Sequence, residues 1–266
     1  MTGFTSGQSA TFTGITNSFT YNNRLQPINM SAVSPTQTVF SIGYDFHWQN
    51  SDNGNVYAIT NFRDSARNQT FAYDALNRLT SAQNAGTDCS KLTLHPPQTQ
   101  YWGNTYTYDA WGNLREKIVT KCSSEPLSVT LGATNRILNA GYSYDAAGNM
   151  TLDGTDAVSA NYDQEDRIAT AGKGGLTTAY IYDADGNRVE KVTPPPPATP
   201  TDGTIYWYMT PGIVAESDLT GALKSEYVFF NGERVARRDF GTPGGVFYYF
   251  SDHLKTASVI TDASGN

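Results

Sequence analysis

A six-residue motif recurs along this chain and constrains its fold more than any other feature. It reads Tyr73-Asp74-Ala-Leu-Asn-Arg78, Tyr108-Asp109-Ala-Trp-Gly112-Asn113, Tyr144-Asp145-Ala-Ala-Gly148-Asn149, Tyr162-Asp163-Gln-Glu-Asp-Arg167 and Tyr182-Asp183-Ala-Asp-Gly186-Asn187. A motif repeated at intervals marks an array of like supersecondary units. It also argues against catalytic aspartates, because a catalytic constellation needs one of each part and this chain makes one part many times.

The Asp-x-x-Gly core predicts a tight turn. An aspartate at the first position of a type I turn accepts backbone N–H bonds from residues just ahead of it. Glycine three residues on takes positive φ without a Cβ clash. A type I turn followed by a left-handed residue is the three-residue hairpin loop with a G1 bulge. Where glycine is missing, Asn77 and Asp166 stand, and these types best tolerate the left-handed region. Two residues before each tyrosine come Phe71, Tyr106, Tyr142 and Tyr180, with Ala160 the exception; after the turn come Leu79, Leu114, Met150 and Ile168, with Arg188 the exception. Side chains two apart share a strand face. Each unit therefore predicts a β-hairpin with an aromatic ascending strand.

Asp218-Leu-Thr-Gly221 and Asp262-Ala-Ser-Gly265 repeat the turn without its tyrosine, and the turn aspartates stand 35, 36, 18, 20, 35 and 44 residues apart. The unit is 18 to 20 residues and the long gaps predict degenerate hairpins. Asn53-Gly54 and Asn231-Gly232 read as type I′ turns.

Four segments follow. Residues 1–40 are Thr/Ser/Asn-rich strands with no clear hexad; 41–193 are the array, opened by Tyr44-Asp45 with an enlarged turn; 194–203 are a Pro-rich loop; 204–266 are a meander that stops inside a hairpin. Polyproline cannot join a ladder, so an exposed polyproline II loop is expected there. The missing return strand would leave an open edge, so the chain reads as a fragment of a longer protein. The fold class expected is all-β, tandem antiparallel hairpins forming a curved or spiralling ribbon.

Composition narrows the partners. Charged residues are 16%, net charge is −7 and the pI is near 4.9, so no basic footprint for nucleic acid is present. No apolar run is long enough for a membrane helix, and no signal peptide is visible. Cys89 and Cys122 bracket the Tyr108 hairpin; a disulfide stapling its flanks and two free thiols are both open. Asp52-Asn-Gly-Asn and Asp183–Asn187 cluster oxygens as Ca²⁺ sites do, but lack the EF-hand spacing, and turns demand the same residues. No metal or cofactor is predicted. His47 and His95 read as loop residues. Asp252-His253 resembles part of a dyad, but no nucleophile or oxyanion motif accompanies it, so a turn-shaping role is expected.

The hexads resemble the YD repeats of Rhs proteins, teneurins and the C components of insecticidal toxin complexes. The segment Tyr248-Tyr249-Phe-Ser-Asp252-His253-Leu254, with Asp262 and Gly265 beyond it, resembles the start of the Rhs repeat-associated core; Lys255-Thr256 replaces that family's Gly-Ser. The resemblance spans residues 40–266. It implies a β-sheet shell around a C-terminal toxin domain of the same polypeptide, secreted or at the cell surface. The family's autoproteolytic aspartate site lies beyond this sequence, so no catalytic residue carries over and no enzymatic activity is expected here. A carbohydrate-binding or adhesion module on the same scaffold, with Tyr206-Trp207-Tyr208 as platform, is the alternative.

Overall fold

The computed structural model describes residues 2–8, 12–48, 51–92, 98–122 and 125–265. His95 lies outside them. Among the described residues there is no α-helix, and one 3₁₀ turn, Ser65–Arg67.

The first strands are β1 (Gly3–Ser6), β2 (Ile15–Tyr21), β3 (Pro27–Val33), β4 (Thr38–Asp45), β5 (His47–Trp48), β6 (Ser51–Asp52), β7 (Ala58–Asn61), β8 (Gln69–Tyr73) and β9 (Leu79–Asn84). Next come β10 (Lys91–Leu92), β11 (Gln98–Thr99), β12 (Gly103–Tyr108), β13 (Leu114–Lys121) and β14 (Leu127–Ser128). Ten of them form one antiparallel sheet in the order β1-β2-β3-β4-β7-β8-β9-β12-β13-β14, while β5 pairs β6 and β10 pairs β11.

The rest are β15 (Ser143–Tyr144), β16 (Met150–Asp153), β17 (Val158–Tyr162), β18 (Ile168–Lys173), β19 (Leu176–Tyr182) and β20 (Arg188–Thr193). After them follow β21 (Asp202–Met209), β22 (Gly212–Ser217), β23 (Leu223–Phe230), β24 (Glu233–Asp239), β25 (Gly245–Ser251) and β26 (Ala257–Thr261). They form a second sheet in chain order. In the second sheet every neighbour is the next strand along the chain, as consecutive hairpins require; the first keeps chain order but passes over the small β5–β6 and β10–β11 pairs, and neither sheet closes into a barrel. By contacts the chain divides into residues 1–129 with 250–266, and residues 130–249.

The first unit has the only concentrated core among the described residues. Ile15, Met30, Ala32, Val39, Phe40, Ile42, Tyr44 and Phe46 are buried. Strand β4 departs from the alternation of a one-sided strand and is buried on both faces. Part of the reason is the last hairpin, whose strand β26 lies against β4. Elsewhere buried apolar side chains are few: Ala82, Val129, Ala179, Val192, Ala236 and Phe250. Most of the array is half-buried sheet, held by its ladders and by contacts between neighbouring hairpins.

Four expectations need correction. The final turn is not bare: Gln37 Nε2 donates to the Gly265 carbonyl at 3.1 Å, and a Cβ on Gly265 would stand 3.0 Å from Ser34 Cβ. The Pro-rich insert is not an extended polyproline II loop, because the Thr201 N–H returns to the Thr193 carbonyl at 3.0 Å and closes it. Asn53-Gly54 is not a type I′ hairpin; β6 ends before it and pairs back to β5, and only Gly54 of the two has positive φ. Asn231 and Gly232 do both have positive φ, 50° and 77°, between paired Phe230 and Glu233. The fourth concerns Asp218. Its turn closes like the others, with Asp218 N–H to Ala222 O at 2.9 Å. Yet the intervening turn between Met209 and Gly212 puts it at the opposite edge of the sheet from the Asp145, Asp163 and Asp183 turns. The interval from Asp183 to Asp218 therefore mixes two edges and is not a multiple of one unit.

Candidate functional site: the hairpin turn and the clamp between repeats

The element that the motif builds is the repeated turn itself. In each hexad the Asp N–H donates to the carbonyl four residues on, and the N–H three residues on donates back to the Asp carbonyl. For Asp74 these are Arg78 O at 2.9 Å and Asn77 N at 3.0 Å; for Asp163 they are Arg167 O at 2.8 Å and Asp166 N at 3.2 Å. The left-handed position is Asn77 (φ 60°), Gly112 (90°), Gly148 (109°), Asp166 (59°) or Gly186 (83°).

The carboxylate satisfies what the loop leaves open. Asp109 Oδ1 accepts from Trp111 and Asn113 N–H, both at 2.9 Å, and Oδ2 accepts from Asn113 Nδ2 at 2.9 Å. Asp183 repeats this with Asp185 and Asn187, so its oxygens are taken up by the turn. Asp145 accepts from Gly148, Asn149 and the Asn149 amide. Where arginine replaces the last asparagine, its Nε does the same work: Arg78 to Asp74 Oδ2 at 2.7 Å and Arg167 to Asp163 Oδ2 at 2.8 Å. Bonds to the charged form favour ionisation. The backbone N–H of Arg78 is the main cause holding Asp74 below the usual carboxylate range, that of Arg167 does so for Asp163, and the side chains of Asn113 and Asn187 do so for Asp109 and Asp183.

The tyrosine reaches the previous hairpin. Tyr108 donates to Leu79 O at 2.8 Å, Tyr162 to Met150 O at 2.9 Å and Tyr182 to Ile168 O at 3.0 Å. The acceptor in each case is the residue that pairs with the previous hexad's tyrosine, as Tyr73 pairs with Leu79 and Tyr162 with Ile168. A register shift beside every tyrosine, between Ala72 and Tyr73 and between Thr107 and Tyr108, leaves an extra residue on the return strand. Tyr73 has no preceding hexad and donates to Val56 O at 2.9 Å. Tyr144 is reversed and accepts the Ile137 N–H at 2.9 Å. Arginines add a second link: Arg78 lies 4.9 Å over the Tyr108 ring and Arg167 4.8 Å over Tyr182.

Three units escaped the hexad pattern. Asn22 forms the turn in residues 1–40, its Oδ1 accepting from Arg24 and Gln26 N–H, with Leu25 at φ 61°. Gly132 closes another with Arg136, with Asn135 at φ 61°, which fills the gap between Asp109 and Asp145. Tyr208 donates to Arg188 O at 3.2 Å, so it is the hexad tyrosine of a unit whose turn was shortened. Among the described residues of the gap between Asp74 and Asp109 stands the β10–β11 pair.

The core-start residues also build turns. Tyr248 and Tyr249 lie in β25, where Tyr248 pairs Ala236. Asp252 accepts from Leu254 and Thr256 N–H at 2.9 and 3.0 Å, and Lys255 holds the left-handed place at φ 64°. Asp262 and Gly265 close the last turn at 3.2 Å. His253 packs its ring on Tyr44, centroids 4.4 Å apart. His47 pairs with Asp45 at 2.7 Å. Cys89 and Cys122 are joined by a disulfide. Among the described residues no three His, Cys, Asp or Glu side chains converge as a metal site would need, and no helix is long and apolar enough to cross a membrane.

No family profile and no curated protein matches the chain. Solved structures do. A Tc holotoxin pore of Photorhabdus luminescens carrying a substituted TccC3 matches with TM-score 0.71 at 16% identity, over 94% of this chain and 14% of that one. A TcdB2–TccC3–Cdc42 crystal structure matches with TM-score 0.71 at 17% identity, over 95% and 14%, and TcdB2–TccC3 with TM-score 0.70 at 17% identity, over 95% and 14%. The chain spans 14% of the length of the structures it matches. At this identity the likeness is one of fold: tandem YD hairpins in open antiparallel sheets superpose on Tc toxin components.

Proposed function

We propose that this chain is a wall segment of an Rhs-type shell that encloses a C-terminal toxin or effector domain of the same longer polypeptide, and that it does no chemistry itself. The observation that carries this reading is the chain of tyrosine clamps, in which each unit's motif is spent on holding the next. Such a surface extends by adding hairpins and needs no compact core of its own, which suits a wall. The likeness to Tc toxin components supports it at the level of fold. Limited proteolysis of the complete protein tests it. The enclosed domain is expected to outlast the exposed loops; a domain digested as fast as those loops would rule out encapsulation.

Carbohydrate binding is the second reading, and one observation favours it. Trp207, Met209, Val228 and Phe230 are all exposed on β21 and β23, and the Trp207 indole is fixed by its Nε1 bond to Ser217 Oγ at 3.0 Å. Saturable binding on a glycan array, abolished by Trp207→Ala, would favour it over a wall that binds no sugar.

A further inference from the structure

The last hairpin is fastened to the N-terminal strands at two places. At one end Gly265 sits on Ser34 and Ile15 and receives the Gln37 amide. At the other, the His253 N–H donates to Tyr44 Oη at 3.3 Å and the two rings pack at 66° to each other with centroids 4.4 Å apart. His253 Nδ1 is buried with no hydrogen-bond partner among the described residues. We infer that this hairpin, residues 250–265, is a latch on β4 that loosens on mild acidification, with His253 as its titrating group.

The physical basis is the cost of a cation at that place. A neutral imidazole tolerates an unpartnered acceptor nitrogen; an imidazolium there adds a buried donor with nothing to receive it. Burial accordingly pushes the His253 value down, against a smaller opposing pull from Asp252. Tyr44, the group facing it from β4, is pushed up to about 12 by burial and stays neutral. Oδ1 of Asp252 accepts from two turn N–H groups. A cleft of about 510 Å³ beside the contact is lined by Tyr44, Asp252, Arg63, Asp64 and Arg67; Arg67 is paired with Asp64 at 3.2 Å, and the Arg63 guanidinium donates to the Val39 carbonyl at 2.7 Å. Asp45 and His47, next along the chain, are paired with each other.

The sign follows from linkage. A histidine depressed by folding binds its proton more tightly when released, so closure is complete above its ordinary value of 6.5 and weakens as pH falls below it. Hydrogen exchange of residues 250–265 at about pH 7.5 and about pH 5.5, corrected for intrinsic rates, reads this directly. Acid should speed opening by up to about ten-fold over this range, a ceiling set by the lower pH lying one unit below the ordinary histidine value. His253→Phe keeps an aromatic ring without a titrating proton and should abolish the dependence while leaving the hairpin closed. Acid opening that persists in His253→Phe overturns the proposal. An NMR titration of the unmodified chain is independent of how the variant folds: the imidazole should titrate below its ordinary value in step with opening, and one titrating at or above that value also overturns it.

Discussion

The Tyr108 hydroxyl donates to the Leu79 carbonyl at 2.8 Å, from one hairpin into the hairpin before it. Leu79 is itself the strand partner of Tyr73. One residue therefore carries the ladder within a unit and the clamp between units, and this makes a row of half-buried hairpins cohere. A phenylalanine would supply the same ring but no bond, which is why the position is tyrosine in all five hexads.

Tyr108→Phe should accordingly destabilise the first unit by roughly 1 kcal/mol, the usual net worth of one hydrogen bond. Urea unfolding would measure it. The aromatic face is kept, so a loss well above that value would mean the ring packing had been disturbed instead.

The left-handed turn positions make a matched pair of tests. A Cβ on Gly112 would meet nothing within 4 Å, so its φ of 90° is the only obstacle. Gly112→Ala should cost about 1–2 kcal/mol. Leu25 occupies the same place at φ 61° with its side chain exposed. Leu25→Gly should stabilise, by roughly 0.5–1 kcal/mol once the greater freedom of glycine in the unfolded chain is subtracted. Opposite shifts in the denaturation midpoint are the expected readout.

Acid should weaken the turns in a defined window. Asp74, Asp109, Asp163 and Asp183 are held below their ordinary value of 3.8 by the N–H and side-chain donors of their own turns. Their contribution is fully present above that value and is lost as pH falls through the lower folded values. The far-UV signal of strand should thus persist through about pH 4 and fall below it. Asp109→Asn, still an acceptor, should retain more structure than Asp109→Ala at neutral pH.

How far the chain could be read depended on which atom carried each interaction. The Asp-x-x-Gly turn is local, so its hydrogen bonds follow from residue types four apart, and the strands around Asn231-Gly232 fell where expected. The turn at Asn22 was hidden because an amide oxygen stands in for the carboxylate and Leu25 for glycine. The turn at Gly132 was hidden more deeply, because glycine stands where the other turns have their aspartate. The tyrosine hydroxyls were illegible for a different reason. Their acceptors lie 12 to 29 residues back, as with Tyr162 to Met150 and Tyr108 to Leu79, and are set by the register of the neighbouring hairpin, which a bulge shifts at every unit. The return of the last hairpin onto β4 is more distant still: no spacing joins His253 to Tyr44.

The disulfide should matter for one unit only. Cys89 and Cys122 are 33 residues apart and both lie in the first unit. Closing a loop of that length limits the unfolded chain by roughly 3–4 kcal/mol on the entropic account. Replacing both by serine should lower the stability of residues 1–129 by up to that amount and leave exchange protection in residues 130–249 unchanged. Equal loss in both units would show that they unfold as one.

The residue four after each aspartate offers the sharpest test of coupling between repeats. Asn113, Asn149 and Asn187 serve the turn as well as Arg78 and Arg167 do, each donating to its own Asp Oδ2. Only the arginines also cover the next tyrosine, Arg78 lying 4.9 Å over Tyr108 and donating to Asp109 O at 3.3 Å. Arg78→Asn should therefore keep its own turn and weaken the link forward. In a double-mutant cycle with Tyr108→Leu the coupling should be about 0.5–1 kcal/mol, the size of a part-exposed cation–π pair. A coupling of zero would mean the guanidinium gains nothing from the Tyr108 ring, and the tyrosine hydroxyl, the β9–β12 ladder and the bond to Asp109 O would then join the units.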